Sequence, residues 1–192
     1  MDQTTREHLN NLHSNDADRR YASFQYIINL TNQPVDWVYE VWDDLLNLLR
    51  TGDNHQRTIA VQVLSNLAKS DTEKRLLKDL DQLLVVTKDE KFVTARHSLQ
   101  SLWKVAVAGE DLKKKVVDNL SKRFDECITE KNCTLIRYDI FEVFKKIYDQ
   151  VHDDELKDTA LALIQREDNV KYRKKYTGLW KDLLKDTEKQ SR

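Results

Sequence analysis

Turn-forming residues are nearly missing from this chain: 192 residues hold three glycines and one proline, against average usage of about 7% and 5%. Without them the tight turns of a β-rich fold cannot be built in number, so the chain reads as all-helical. Two cysteines, Cys127 and Cys133, are too few for a disulfide scaffold. Cys127 falls on a helical apolar spacing with Leu120, Phe124 and Ile128, which reads as a buried free thiol in a reducing compartment. A zinc site would need further ligands close by, and none are near. No apolar run approaches the roughly 18–20 residues of a membrane span. The opening MDQTTREHLNN has neither a basic nor an apolar leader region, so a cytoplasmic protein without membrane contact is expected.

Charge is abundant but balanced. Lys and Arg number 32 against 33 Asp and Glu, and the mean hydropathy of −0.71 suits helices that each expose a wide polar face. Residues 1–60 hold five basic residues against nine acidic, and residues 166–192 hold nine against five. That mild gradient from −4 to +4 could orient a partner.

Helix signals follow one another along the chain. Residues 3–14 carry Leu9 and Leu12 as apolar contacts. Asp16 opens a helix through about Leu30, and Pro34 ends that unit. Asp36 is a candidate cap for a helix with Val38, Trp42, Leu45, Leu46 and Leu49 inward, ended by Gly52. Asp53–Ser70 follows, with Ala60, Val63, Leu64 and Leu67 on one face. A cap cluster at Ser70-Asp71-Thr72 precedes a leucine-lined helix. Lys88-Asp89-Glu90 marks the next break, before a helix ending at Gly109. Another runs from Asp111 to about Glu130, and a further one carries Ile136, Ile140, Val143, Phe144 and Ile147. Asp153-Asp154 caps the next, and the last, from about Asn169, carries Tyr172, Tyr176, Leu179, Trp180, Leu183 and Leu184. The count is ten, in pairs joined by short loops that suit antiparallel neighbours.

The second helix of each pair repeats the stripe of Asp53–Ser70. Ser23, Tyr26, Ile27 and Leu30 match Ala60, Val63, Leu64 and Leu67, and so do Ala95, Ser98, Leu99 and Leu102. Ile140, Val143, Phe144 and Ile147 match next, then Tyr176, Leu179, Trp180 and Leu183. The position three before each stripe then reads Arg20, Arg57, Phe92, Arg137 and Arg173. The position four earlier is acidic in the first two, Asp16 and Asp53.

Helix pairs of about 35–45 residues, a small residue in the stripe, and an acidic residue with a following arginine resemble the HEAT-repeat family of armadillo-like helical solenoids. The resemblance covers nearly the whole chain. It implies one domain, an all-α right-handed α-α superhelix of five antiparallel hairpins, with repeats at roughly 3–33, 35–70, 71–109, 110–151 and 152–187. Ile140 and Tyr176 depart from the small residue, and Phe92 from the arginine. Lone hairpins cannot bury both faces, so each must stack on its neighbours. Arg20, Arg57, Arg137 and Arg173 would then stand in a row. Tying one repeat to the next is one role open to them, and touching a ligand is the other.

The resemblance also implies that second helices line a concave surface. The register puts Gln62, Ser65, Asn66 and Lys69 there, then His97, Gln100, Ser101 and Lys104, then Glu142, Lys145, Lys146 and Asp149. Gln25, Ile28, Asn29 and Asn32 precede these, and Gly178, Lys181, Asp182 and Lys185 follow. Amides and hydroxyls can pair with an extended peptide backbone, and lysines with acidic side chains. The expected function is a non-catalytic scaffold for a protein or peptide, with acidic partners suiting the lysines. Nucleic acid is the alternative, but it would need stacking aromatics in a basic groove. Trp37, Trp42, Trp103 and Trp180 fall on or beside apolar stripes instead.

Some HEAT-like solenoids are DNA-alkylation-repair glycosylases and others are lyases of phycobilin chromophores. A glycosylase needs a carboxylate beside aromatics in a basic cleft, and the nearest acids, Asp139 and Glu142, have no such setting. The five histidines are scattered, and His97 has neither base nor nucleophile beside it. No P-loop, dinucleotide fingerprint or HExxH motif is present. No enzyme activity, cofactor or metal is expected.

Overall fold

Acidic side chains start four of the helices, by accepting backbone N–H groups that a first turn leaves without partners. Asp2 accepts from Thr5, and Asp16 from Asp18 and Arg19. Asp153 accepts from Glu155 and Leu156. Asp53 takes the Gln56 amide while the Gln56 side chain takes that of Asp53, a reciprocal capping box. Asp36 caps nothing. The residue before the third helix is Trp37, which makes no side-chain cap bond. Ser70-Asp71-Thr72 also works differently from expectation. Lys74 takes a left-handed conformation (φ 56°) directly before the helix. Asp71 reaches across it to accept from the amides of Arg75 and Leu76.

The computed structural model describes residues 1–182; Leu183, Leu184 and Lys185, placed above in the last helix, lie outside the described residues. Among the described residues there are ten α-helices and no strand: α1 (Gln3–Asn11), α2 (Ala17–Leu30), α3 (Val38–Thr51), α4 (Asn54–Leu67), α5 (Arg75–Val86), α6 (Phe92–Ala106), α7 (Glu110–Glu126), α8 (Cys133–Val151), α9 (Asp154–Gln165) and α10 (Val170–Gly178). Single 3-10 turns, Ala68–Ser70 and Cys127–Thr129, extend α4 and α7. No described helix is long and apolar enough to cross a membrane.

Packing follows the pairing. Each odd helix lies against the even helix after it, α2–α4–α6–α8–α10 touch in succession, and so do α3–α5–α7–α9. Two layers result, with the core between them. Ala60, Val63, Leu64 and Leu67 are wholly buried there, as are Ile140, Val143, Phe144 and Ile147. Trp42 and Trp180 are buried to the same degree, and Trp37 nearly so. Tyr176 is buried with its hydroxyl donating to the Thr134 carbonyl at 2.9 Å, which ties α10 to α8. Gly52 lets α3 turn into α4: a Cβ there would stand 2.5 Å from the Leu48 carbonyl oxygen.

One stretch departs from the expected helix. α7 stops at Glu126, and Ile128 is exposed, not packed inward. Cys127 is buried, but as half of a disulfide with Cys133, not as a free thiol. Glu130 meanwhile turns back to receive both terminal nitrogens of Arg123. These two links draw the chain into a 3-10 turn before a further helical turn can form.

Candidate partner-binding face

Three of the four arginines of the expected row, Arg20, Arg57 and Arg137, reach across the seams between successive pairs. Arg57 donates to Asp89 at 2.7 Å and to the Gly52 carbonyl at 3.0 Å. Burial would raise the Asp89 pKa, but bonds from Arg57 and the Lys91 amide outweigh it and hold the carboxyl below its ordinary value. Arg137 donates to Glu167 at 2.7 Å and to the Phe124 carbonyl at 3.1 Å, with its guanidinium 4.0 Å from the Phe124 ring centre. Arg20 donates to the Ser14 carbonyl at 2.7 Å and stands 4.0 Å from Asp53. Where the row has Phe92, the following Glu130 takes Arg123 from α7. Arg173, half-buried on α10, makes no side-chain hydrogen bond or ion pair among the described residues.

A second seam carries a cluster that helical periodicity does not reveal. Arg96 grips Asp139 with two nitrogens at 2.6 and 2.7 Å, and Gln100 donates to the same carboxylate at 2.9 Å. Asp139 is wholly buried. Arg96 and Gln100 stand four apart on α6, the spacing that stacks two side chains on one helix face. That spacing was the available signal, but α8 offers three carboxylates, Asp139, Glu142 and Asp149, and the spacing does not choose among them. Gln100, placed above on the open face, is thus committed to Asp139. Neither Asp139 nor Gln100 is left for chemistry.

The other expected open-face residues divide in two. Ser65 and Asn66 are fully buried. Ser65 pairs with Ser101 at 3.1 Å, and the Asn66 amide donates to the Ile28 carbonyl and the Thr31 hydroxyl, both at 3.1 Å. The even helices approach closely enough to swallow these short side chains. Lys145 pairs with Asp149 on its own helix. Gln62, His97, Lys69, Lys104 and Lys146 remain at least partly exposed.

Beside Gln62 and His97 lies an open groove of about 930 Å³ across α2, α4 and α6. Tyr21, Phe24, Ile59, Phe92 and Val93 line it, with Gln62 and His97 at its polar side. Tyr21 and Val93 are 62% and 66% exposed, although each is a large apolar side chain. Further along the same helices come the lysines. Lys69 donates to the Asn32 carbonyl at 2.9 Å, and Lys104 to the Asn66 side-chain oxygen. Burial, then repulsion from Lys69 and Lys146, holds Lys104 below the ordinary lysine pKa.

His8 touches the Ser23 hydroxyl at 3.0 Å and stacks on Tyr26, but Ser23 is 1% exposed and out of reach of a substrate. Among the described residues no three His, Cys, Asp or Glu side chains stand together as a metal site would require. No protein-family model matches the chain, and no curated protein matches it in sequence.

Proposed function

We propose that the chain is a HEAT-like solenoid, a right-handed superhelix of five hairpins, acting as a non-catalytic scaffold that binds a protein segment along its even-numbered helices. The observation that carries this reading is the open groove across α2, α4 and α6 with Tyr21 and Val93 standing exposed in it. Large apolar side chains left together on a surface mark sites where another surface covers them. Tyrosine suits such a role, because it contributes a rigid apolar body with a polar tip. Two-layer stacking, with even helices touching in succession, supports the solenoid reading.

The test is selection of a displayed random-peptide library on the full chain and on a Tyr21→Asp/Val93→Asp double variant. Enrichment is expected on the parent and not on the variant. Both side chains are exposed, so the variant's stability is expected to stay within about 0.5 kcal/mol of the parent. Equal enrichment on both proteins would remove the groove from the function.

A further inference from the structure

Four cations at the seams of this protein are matched to carboxylates, Arg57 to Asp89, Arg96 to Asp139, Arg137 to Glu167 and Lys113 to Asp153, while on the odd layer Arg50 and Lys115 donate to the Gln82 side chain and the Leu77 carbonyl. Three lysines on the even layer break that pattern. Lys69 follows the end of α4, Lys104 lies in the last turn of α6, and Lys146 lies on α8. Among the described residues none of the three makes an ion pair, although Lys69 and Lys146 both stand near enough to repel Lys104. Their uncharged acceptors, the Asn32 carbonyl and the Asn66 amide oxygen, position two of them without neutralising them. Helix C-termini favour cations by a fraction of a kcal/mol. That explains a lysine at the end of α4 or α6, but not a third on α8, the next helix in contact.

We propose that Lys69, Lys104 and Lys146 form a cation row that recognises an acidic run in an extended segment of a partner protein. The proposal rests on the scaffold reading above and names the chemistry of its partner. Neighbouring packed helices lie about 8–10 Å apart. In an extended chain, alternate side chains on one face recur about every 7 Å, so alternating carboxylates can follow the row from helix to helix. His97 and Lys104 are seven residues apart on α6, about 10 Å at 1.5 Å per residue. One segment can therefore rest apolar side chains in the groove beside Val93 and present its carboxylates to the row. Nucleic acid fits less well. Three lysines give few phosphate contacts.

The experiment measures fluorescence anisotropy with the full chain at low ionic strength. Its probes are a labelled decapeptide of alternating glutamate and valine, the same peptide with glutamine for glutamate, and a labelled deoxythymidine decamer. Saturable binding of the glutamate peptide is expected, weakened about two- to thirtyfold in a Lys69→Gln/Lys146→Gln variant, a loss of two exposed ion pairs. Lys114→Gln, on the other layer and paired with Asp118, should change nothing. Equal affinity for the glutamine peptide overturns the cation row. If that binding is still lost in Tyr21→Asp/Val93→Asp, the groove reading stands without the row. Preference for the deoxythymidine decamer overturns the acidic-peptide assignment in favour of nucleic acid. No binding of the glutamate peptide overturns the proposal outright.

Discussion

Asp139 carries more at the residue scale than its position suggests. It is wholly buried and accepts three hydrogen bonds from Arg96 and Gln100, which join α6 to α8. Asp139→Ala should cost about 3 kcal/mol, the low end for breaking a buried pair, since Arg96 keeps some contact with water. Urea denaturation would read this as a lower midpoint at unchanged slope. Lys104 makes an opposite case. Burial and two like charges disfavour its ammonium in the folded chain, so the unfolded chain binds that proton more readily. Its charge therefore costs stability below the folded pKa, and the cost disappears as pH rises through that pKa toward the ordinary 10.5. Stability measured by denaturation should climb over this alkaline window in the parent and climb less in Lys104→Gln. A carboxylate partner on the row would offset the same penalty by favouring the charged form. Sequence periodicity could name Ser65 and Asn66 as lying off the core stripe. It could not tell a solvated face from a seam, because both demand polar residues at the same helical angle. That is why Gln100 and Asp139 were legible as polar but not as partners.

Elements were legible where local chemistry decides them. The acidic caps at Asp16, Asp53 and Asp153 act within three residues of themselves, so their role can be read from the chain. The end of α7 could not be, because it depends on Cys127 meeting Cys133 and Arg123 meeting Glu130 across a turn. Two substitutions on α4 separate these kinds of information. Asp53→Ala removes a capping box and should cost about 1 kcal/mol. Ala60→Leu adds a branched side chain to a position with no exposure and should cost about 1–3 kcal/mol by overpacking. Thermal or urea unfolding measures both. A neutral Ala60→Leu would mean that the stripe shared by the even helices is not a close-packing register.

At the scale of the whole molecule, the repeated stripe predicts how stability is distributed. In a stacked array each pair touches only its neighbours, so the inner pairs are held on two sides and the end pairs on one. α4 and α6 have even-layer neighbours on both sides, whereas α2 has only α4 among the described contacts. Opening should therefore begin at the ends, with free energies well below that of global unfolding, and reach α4 and α6 last. Hydrogen exchange followed by mass spectrometry tests this directly. The slowest amides are expected in α4 and α6, with α1, α2 and α10 exchanging earlier. Asp139→Ala cuts a link between α6 and α8 and should accelerate exchange in α8–α10 more than in α1 and α2. Uniform acceleration across all ten helices would instead show one indivisible core, and the array would then fail as a description of the fold. The proposed binding surface spans α2, α4, α6 and α8, so it draws mainly on the segment expected to open last. A partner bound there should slow exchange beyond the residues it touches, because ordering one seam favours the closed state of the next.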